Sequence, residues 1–149
     1  MKSKSTSIIQ VGIIVKDVEE TAKKLEESIG IGPFEIIAPE YRDLTFRGKP
    51  GRFKMKLGLA NSGSIQIELM QVLYGETIFD EFIQRKGYGL HHLGIRVGNM
   101  NDAMKKMERK GFKVIQSGNR PVVKWAYLDT EDQIGIIFEL LEKHTETSR

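Results

Sequence analysis

Hydrophobic and polar positions follow two alternating periods along this chain, and the alternation comes round twice. Residues 7–15 are a run rich in Ile and Val with Gln10 in its middle, the pattern of a strand. From Asp17 the period lengthens: Val18, Ala22, Leu25 and Ile29 recur at helical spacing with Lys and Glu between them. Asp17 is a good N-cap with Glu20 three residues on, and Gly30, Gly32 and Pro33 end the helix. The pattern then predicts a short strand over 34–37 and a polar, basic loop from Pro39 to Gly51. Strands follow over 53–59 and 64–72 around an Asn61-Ser62-Gly63 turn, then a helix over 77–85. The same order returns. A strand over 91–97 precedes a helix from Asn99 or Asn101 to about Lys110, with Met100, Ala103, Met104 and Met107 on its inner face and Gly111 at its end. Strands follow over 112–117, 122–129 and 134–141, with turns at Gly118-Asn119 and Thr130-Glu131-Asp132. The polar tail from Lys143 is expected to fray.

Each half thus reads strand, helix, three strands, and the halves overlay. IIQVGIIVKDV (8–18) lies on LHHLGIRVGNM (90–100), and IQIELMQ (65–71) on IIFELLE (136–142). Gln10 then falls on His92 and Glu68 on Glu139, the mark of one site assembled from a duplication. A unit of this size buries one sheet face well. Two side by side form an α+β fold, an open, cupped mixed β-barrel with helices outside. The expected organisation is a single domain over 1–149: one module at about 7–73, a linker helix at about 76–88 and a second module at about 89–142.

Strand parity decides which side chains share a face. Ile9, Val11 and Ile13 are expected under the first helix and Leu93, Ile95 and Val97 under the second. Gln10, Gly12, His92 and Gly94 look the other way. Glu68 and Glu139 share a face opposite Ile67 and Phe138, so all four polar residues point into one concavity. His91 falls with Leu93 and Ile95, a core histidine or a support for a ligand, and His144 lies at the surface. Trp125 and Tyr127 share a strand face and either line a pocket or pack in the wall. Arg96, on the His92 face, can meet a carboxylate or phosphate.

Composition adds limits. The chain has 149 residues, 40% hydrophobic and 29% charged, ordinary for a globular protein. Without cysteine there is no disulfide framework, thiolate ligand or thiol nucleophile. The apolar N-terminal stretch is broken by Gln10 and ends at Lys16, too short and polar for a signal peptide or membrane helix, so the expected location is cytoplasmic with no membrane partner. Net charge is +3. The bases over 105–113 share their helix with Asp102 and Glu108 and read as solvated surface. Arg42, Arg47, Lys49, Arg52, Lys54 and Lys56 are less diluted by acids and can meet an anionic substrate tail. No basic stripe is interleaved with stacking aromatics, which argues against a nucleic-acid partner.

Taken singly, a His or Glu in a strand is usually structural. Taken together, two neighbouring carboxylates in apolar strands would force one to protonate, and a divalent cation removes that penalty. Two Glu, a Gln amide oxygen and one His make a hard, oxygen-rich set suited to Zn, Ni, Co or Mn.

The duplicated unit, with Gln10, Glu68, His92 and Glu139 where they stand, resembles the vicinal oxygen chelate superfamily. That group includes glyoxalase I (lactoylglutathione lyase), methylmalonyl-CoA epimerase, extradiol dioxygenases and antibiotic-resistance proteins. The resemblance spans roughly residues 8–142. Residues 89–97 (GLHHLGIRV), 67–70 (IELM), and Phe82-Ile83-Gln84 followed by Gly87 look most like the epimerase branch. Gln10 stands where epimerases carry His, as in some glyoxalase I enzymes, and a single well-placed His departs from the two-His dioxygenase site. The resemblance implies one divalent ion on Gln10, Glu68, His92 and Glu139. It implies a lyase or isomerase that moves a proton alpha to a carbonyl through a metal-stabilised enolate. Glu139 is then the first choice of base and Glu68 the second. The implied substrate is an acyl-CoA or glutathione adduct, and the implied assembly a homodimer. The alternative on the same fold is a non-catalytic protein that sequesters a small molecule. That reading calls for an aromatic-rich groove, and an aromatic content of 8% favours the enzyme.

Overall fold

The computed structural model describes residues 5–144. The chain runs β1 (Ile8–Ile14), α1 (Val18–Lys24), β2 (Glu35–Ile37), β3 (Glu40–Phe46), β4 (Lys49–Ser62) and β5 (Ile65–Gly75). After α2 (Ile78–Lys86) come β6 (Gly89–Arg96), α3 (Met100–Arg109), β7 (Val114–Arg120), β8 (Val123–Leu128), α4 (Glu131–Ile134) and β9 (Ile137–Lys143). The Asp17 carboxylate accepts from the Glu20 amide, capping α1, and the helix continues as one π-helical turn, Leu25–Ile29, before Gly30 ends it at φ 83°.

The strands form the expected mixed β-barrel with helices outside. Their order is β2-β4-β3-β7-β8-β9-β6-β1-β5, and a β4–β5 ladder closes the barrel, leaving β2 as an extra strand beside β4. β1 runs parallel to β5 and β6 parallel to β9, so each half repeats the other's pairing. The halves meet at the antiparallel β1–β6 and β3–β7 ladders. No helix among the described residues is long and apolar enough to cross a membrane.

Several boundaries differ from the sequence pattern. The expected loop from Pro39 to Gly51 is β3 and the start of β4. Its inward residues Tyr41, Leu44 and Phe46 are split by a register shift, which hides the period of two. β2 and β3 lie in succession along one edge of β4, while β5 takes the other edge. The β7–β8 turn falls at Pro121-Val122, not at Gly118-Asn119. Gly118 serves close packing instead: a Cβ there would lie 2.5 Å from the Trp125 ring. The turn expected at 130–132 leads into α4, and β9 starts later than expected. The tail beyond residue 144 lies outside the described residues.

Inside the barrel, Ile14, Phe53, Met55, Leu57, Met70, Trp125, Tyr127 and Leu141 form the main core, with Phe79 and Phe82 of α2 seated on it. Outside, Val18 and Ala22 of α1 bury Leu69, with Ile13 and Ile67 against them. Met100 and Met104 of α3 cover Ala126, Leu128 and Leu140, with Ile95 and Val97. Ile9 departs from its expected side: it packs on the interior core, beside a register shift between Ile8 and Gln10.

Candidate metal centre

Four adjacent strands, β9, β6, β1 and β5, place the polar residues. Across β1–β6, Gln10 faces Gly94 and Gly12 faces His92. Across the parallel ladders, Gly12 also neighbours Glu68 and Gly94 neighbours Glu139. Each glycine therefore makes room for two of the four polar side chains. A Cβ on Gly12 would stand 2.0 Å from the His92 ring, and one on Gly94 would stand 3.2 Å from Gln10 Oε1.

The side chains converge as parity predicts. His92 Nε2 lies 3.0 Å from Gln10 Oε1, 3.1 Å from Glu139 Oε1 and 3.6 Å from Glu68 Oε1. Ligand atoms of Glu68, His92 and Glu139 all lie within 4.8 Å of one another and can hold a metal ion. Gln10, His92 and Glu139 are buried, and the Glu68 side chain is 13% exposed. Gln66 had no assigned role in the sequence pattern, although its parity with Glu68 marks it. Its Oε1 accepts from Gln10 Nε2 at 2.8 Å and so turns the Gln10 oxygen toward His92.

The electrostatics call for positive charge. Burial, then the Glu139 charge, pushes the Glu68 carboxyl up to about 7. Burial alone would lower His92, but the nearby Glu139 and Glu68 charges outweigh it and raise the imidazole's pKa. Glu139 Oε1 is buried without a well-formed hydrogen bond. Burial and then Glu139 hold the Tyr127 phenol well above its ordinary range. Three oxygens aimed at one imidazole nitrogen fit a divalent cation, and the N/O donor set suits Zn, Ni, Co or Mn.

His91 is not on the helix side. Gly12 pairs with His92, but the next pair is Ile13 with Leu90, so His91 is the extra residue of a β-bulge. The bulge breaks the alternation and turns both rings inward. His91 Nδ1 sits 2.9 Å from His92 Nδ1, and Phe79, Phe82 and Tyr127 surround its ring. Burial, then the neighbouring His92 charge, keeps it well below the ordinary imidazole range.

Above the centre opens a cavity of about 470 Å³. Gln10, Glu68 and Glu139 line it, with Tyr41, Phe53, Phe79, Trp125, Tyr127 and aliphatic side chains around them. Trp125, Tyr127, the exposed Arg96 and the exposed His144 border the cavity, and Trp125 and Tyr127 are at the same time buried in the barrel's core. Arg120, which the sequence pattern did not single out, also lines it, its guanidinium 5.4 Å from the Tyr41 ring centroid. The basic cluster over 42–56 is elsewhere. Arg42 and Arg52 pair with Glu40, Arg47 with Glu81 and Lys56 with Glu19, and none of these bases lines the cavity.

Residues 9–127 match the family described as Glyoxalase/Bleomycin resistance protein/Dioxygenase superfamily. The chain belongs to this superfamily. Methylmalonyl-CoA epimerase from Mycobacterium tuberculosis superposes with a TM-score of 0.71, covering 99% of this chain and 96% of that one at 18% identity. A hypothetical protein from Bacillus halodurans C-125 gives 0.70, with 96% and 98% covered at 21% identity. A variant of Streptomyces coelicolor methylmalonyl-CoA epimerase in complex with 2-nitronate-propionyl-CoA gives 0.69, with 94% and 96% covered at 16% identity. At such identities the superfamily likeness to these structures is one of fold. Among curated proteins, the uncharacterized protein YqjC of Bacillus subtilis (strain 168) is 23% identical over 92 residues, or 60% of this chain. The match spans 66% of that relative's length.

Proposed function

We propose that this protein is a metal-dependent lyase or isomerase that moves a proton at a carbon beside a carbonyl. The observation that carries the reading is the convergence of Gln10 and Glu68 with His92 and Glu139 beneath one cavity. A carbon acid of this kind lies about 15 pKa units above a carboxylate base, a gap of ~20 kcal/mol. A divalent ion held by these four residues would supply the Lewis acidity that narrows it.

The chain's own groups do the rest. Glu68 and Glu139 are the candidate bases, and access favours Glu68, whose side chain is 13% exposed against 5% for Glu139. Tyr127, held protonated beside Glu139, acts as a hydrogen-bond donor. The apolar walls keep water from the reacting carbon, and Arg96 and Arg120 would take an anionic part of the substrate. The solved epimerases in complex with methylmalonyl-CoA and with 2-nitronate-propionyl-CoA support an acyl-CoA, with a glutathione adduct as the other class. A cytoplasmic homodimer belongs to the same reading, and sedimentation at twice the chain mass is its expected outcome.

The test is proton exchange in heavy water, followed by NMR, on methylmalonyl-CoA and on the methylglyoxal–glutathione adduct. Exchange with one of them, stopped by chelation, is expected, and no exchange with either contradicts the reading. One observation favours sequestration as a second reading. Five of the chain's twelve aromatic side chains, Tyr41, Phe53, Phe79, Trp125 and Tyr127, gather at the cavity. Sequestration predicts tight ligand binding by the metal-free protein and no exchange.

A further inference from the structure

We infer that His91 is a positioning residue: it accepts the Nδ1–H of His92 and so holds His92 with Nε2 directed at the cation site. The inference rests on the metal reading above, but its test follows the centre itself and not turnover.

Two imidazoles whose Nδ1 atoms lie 2.9 Å apart share one proton, and one ring must accept it. Were His91 the donor, a neutral His92 would carry its proton on Nε2, pointing at Gln10 and Glu139 and closed to a metal. A metal on His92 Nε2 requires a neutral His92 to carry its hydrogen on Nδ1. His91 must then accept it. The surroundings of His91 agree. Its Nε2 is buried with no oxygen or nitrogen partner, among the rings of Phe79, Phe82 and Tyr127. The three rings meet the imidazole in T-shaped contacts, so an Nε2–H has aromatic neighbours and no competing acceptor there. The bulge that brings His91 inside is therefore part of the site. It also ties α2, through Phe79 and Phe82, to the ring that holds His92.

The experiment compares divalent-metal affinity, by competition of Zn²⁺ with a chromophoric chelator, in wild type, His91→Phe and His91→Asn. Phe keeps the aromatic packing but removes the acceptor, and Asn puts a carbonyl oxygen close to where Nδ1 stands. His91→Phe is expected to bind Zn²⁺ about 10- to 100-fold more weakly, with His91→Asn recovering part of the loss. A wild type that binds no Zn²⁺ overturns the metal reading and this inference together. A wild type that binds Zn²⁺, with His91→Phe matching it, overturns this inference alone. Should His91→Phe fail to fold, the imidazole ¹H–¹⁵N spectrum of the wild type decides. A proton on His92 Nδ1 and on His91 Nε2 supports the inference, and a proton on His91 Nδ1 overturns it.

Discussion

Gly12 and Gly94 are as much a part of the centre as the residues they face. His92 occupies the space a Cβ on Gly12 would need, so the strand tolerates only a residue without one. Gly12→Ala is expected to destabilise the fold by about 1–3 kcal/mol through overpacking and to weaken metal binding. Thermal denaturation and zinc titration check this, and unchanged values in both would contradict the geometry. Gln10, Glu68, His92 and Glu139 were legible from sequence because each is a polar residue in an apolar strand and the two halves of the repeat overlay them in pairs. His91 was not, because one extra residue reverses parity and nothing in a His-His pair marks the bulge. Arg120 was hidden differently. It stands next to a turn the pattern did not place, and only the closed barrel brings that turn over the cavity.

The duplication extends to how the helices are fastened. Gln71 and Glu142 each stand three residues after a candidate metal-binding Glu. Gln71 Oε1 accepts from the Val18 amide at the start of α1, and Glu142 Oε1 accepts from the Met100 amide at the start of α3. One strand in each half thus carries a candidate ligand and caps its own helix. Gln71→Ala and Glu142→Ala should each cost about 1 kcal/mol, and the two losses should add to within about 0.5 kcal/mol because the sites share no partner. Urea denaturation of the single and double variants measures this, and strong non-additivity would argue against independent caps. Helices were the most legible elements, since their caps and apolar spacing are local. β3 was the least legible, because its strand character comes from pairing with β4 and β7 and not from its own alternation.

The barrel gathers a carboxyl group, Glu68, and an imidazole, His92, that the folded chain keeps protonated more readily than the unfolded one. Glu68 rises from 4.5 to about 7, and His92 rises above 6.5. Both changes mean that folding binds protons, so metal-free stability falls as pH rises through this range. His91 is lowered and so opposes the fall just above pH 6.5, where the unfolded imidazole is still part-protonated, but it adds little slope beyond about pH 7.5. The lowered carboxyls of Glu40 and Glu131 are ionised in both states there. The melting temperature of chelator-treated protein is therefore expected to fall from pH 6.5 to about pH 8, and added Zn²⁺ to restore more at the higher pH. A flat or rising profile would contradict the charge balance drawn here. The most direct measurement of the shared centre is metal content per chain after Zn²⁺ loading and dialysis, by inductively coupled plasma mass spectrometry. Wild type should retain one ion per chain, and Glu68→Gln in one half or Glu139→Gln in the other should each lose it. Retention of the ion by both variants, or none in wild type, would contradict a cation held jointly by the two halves.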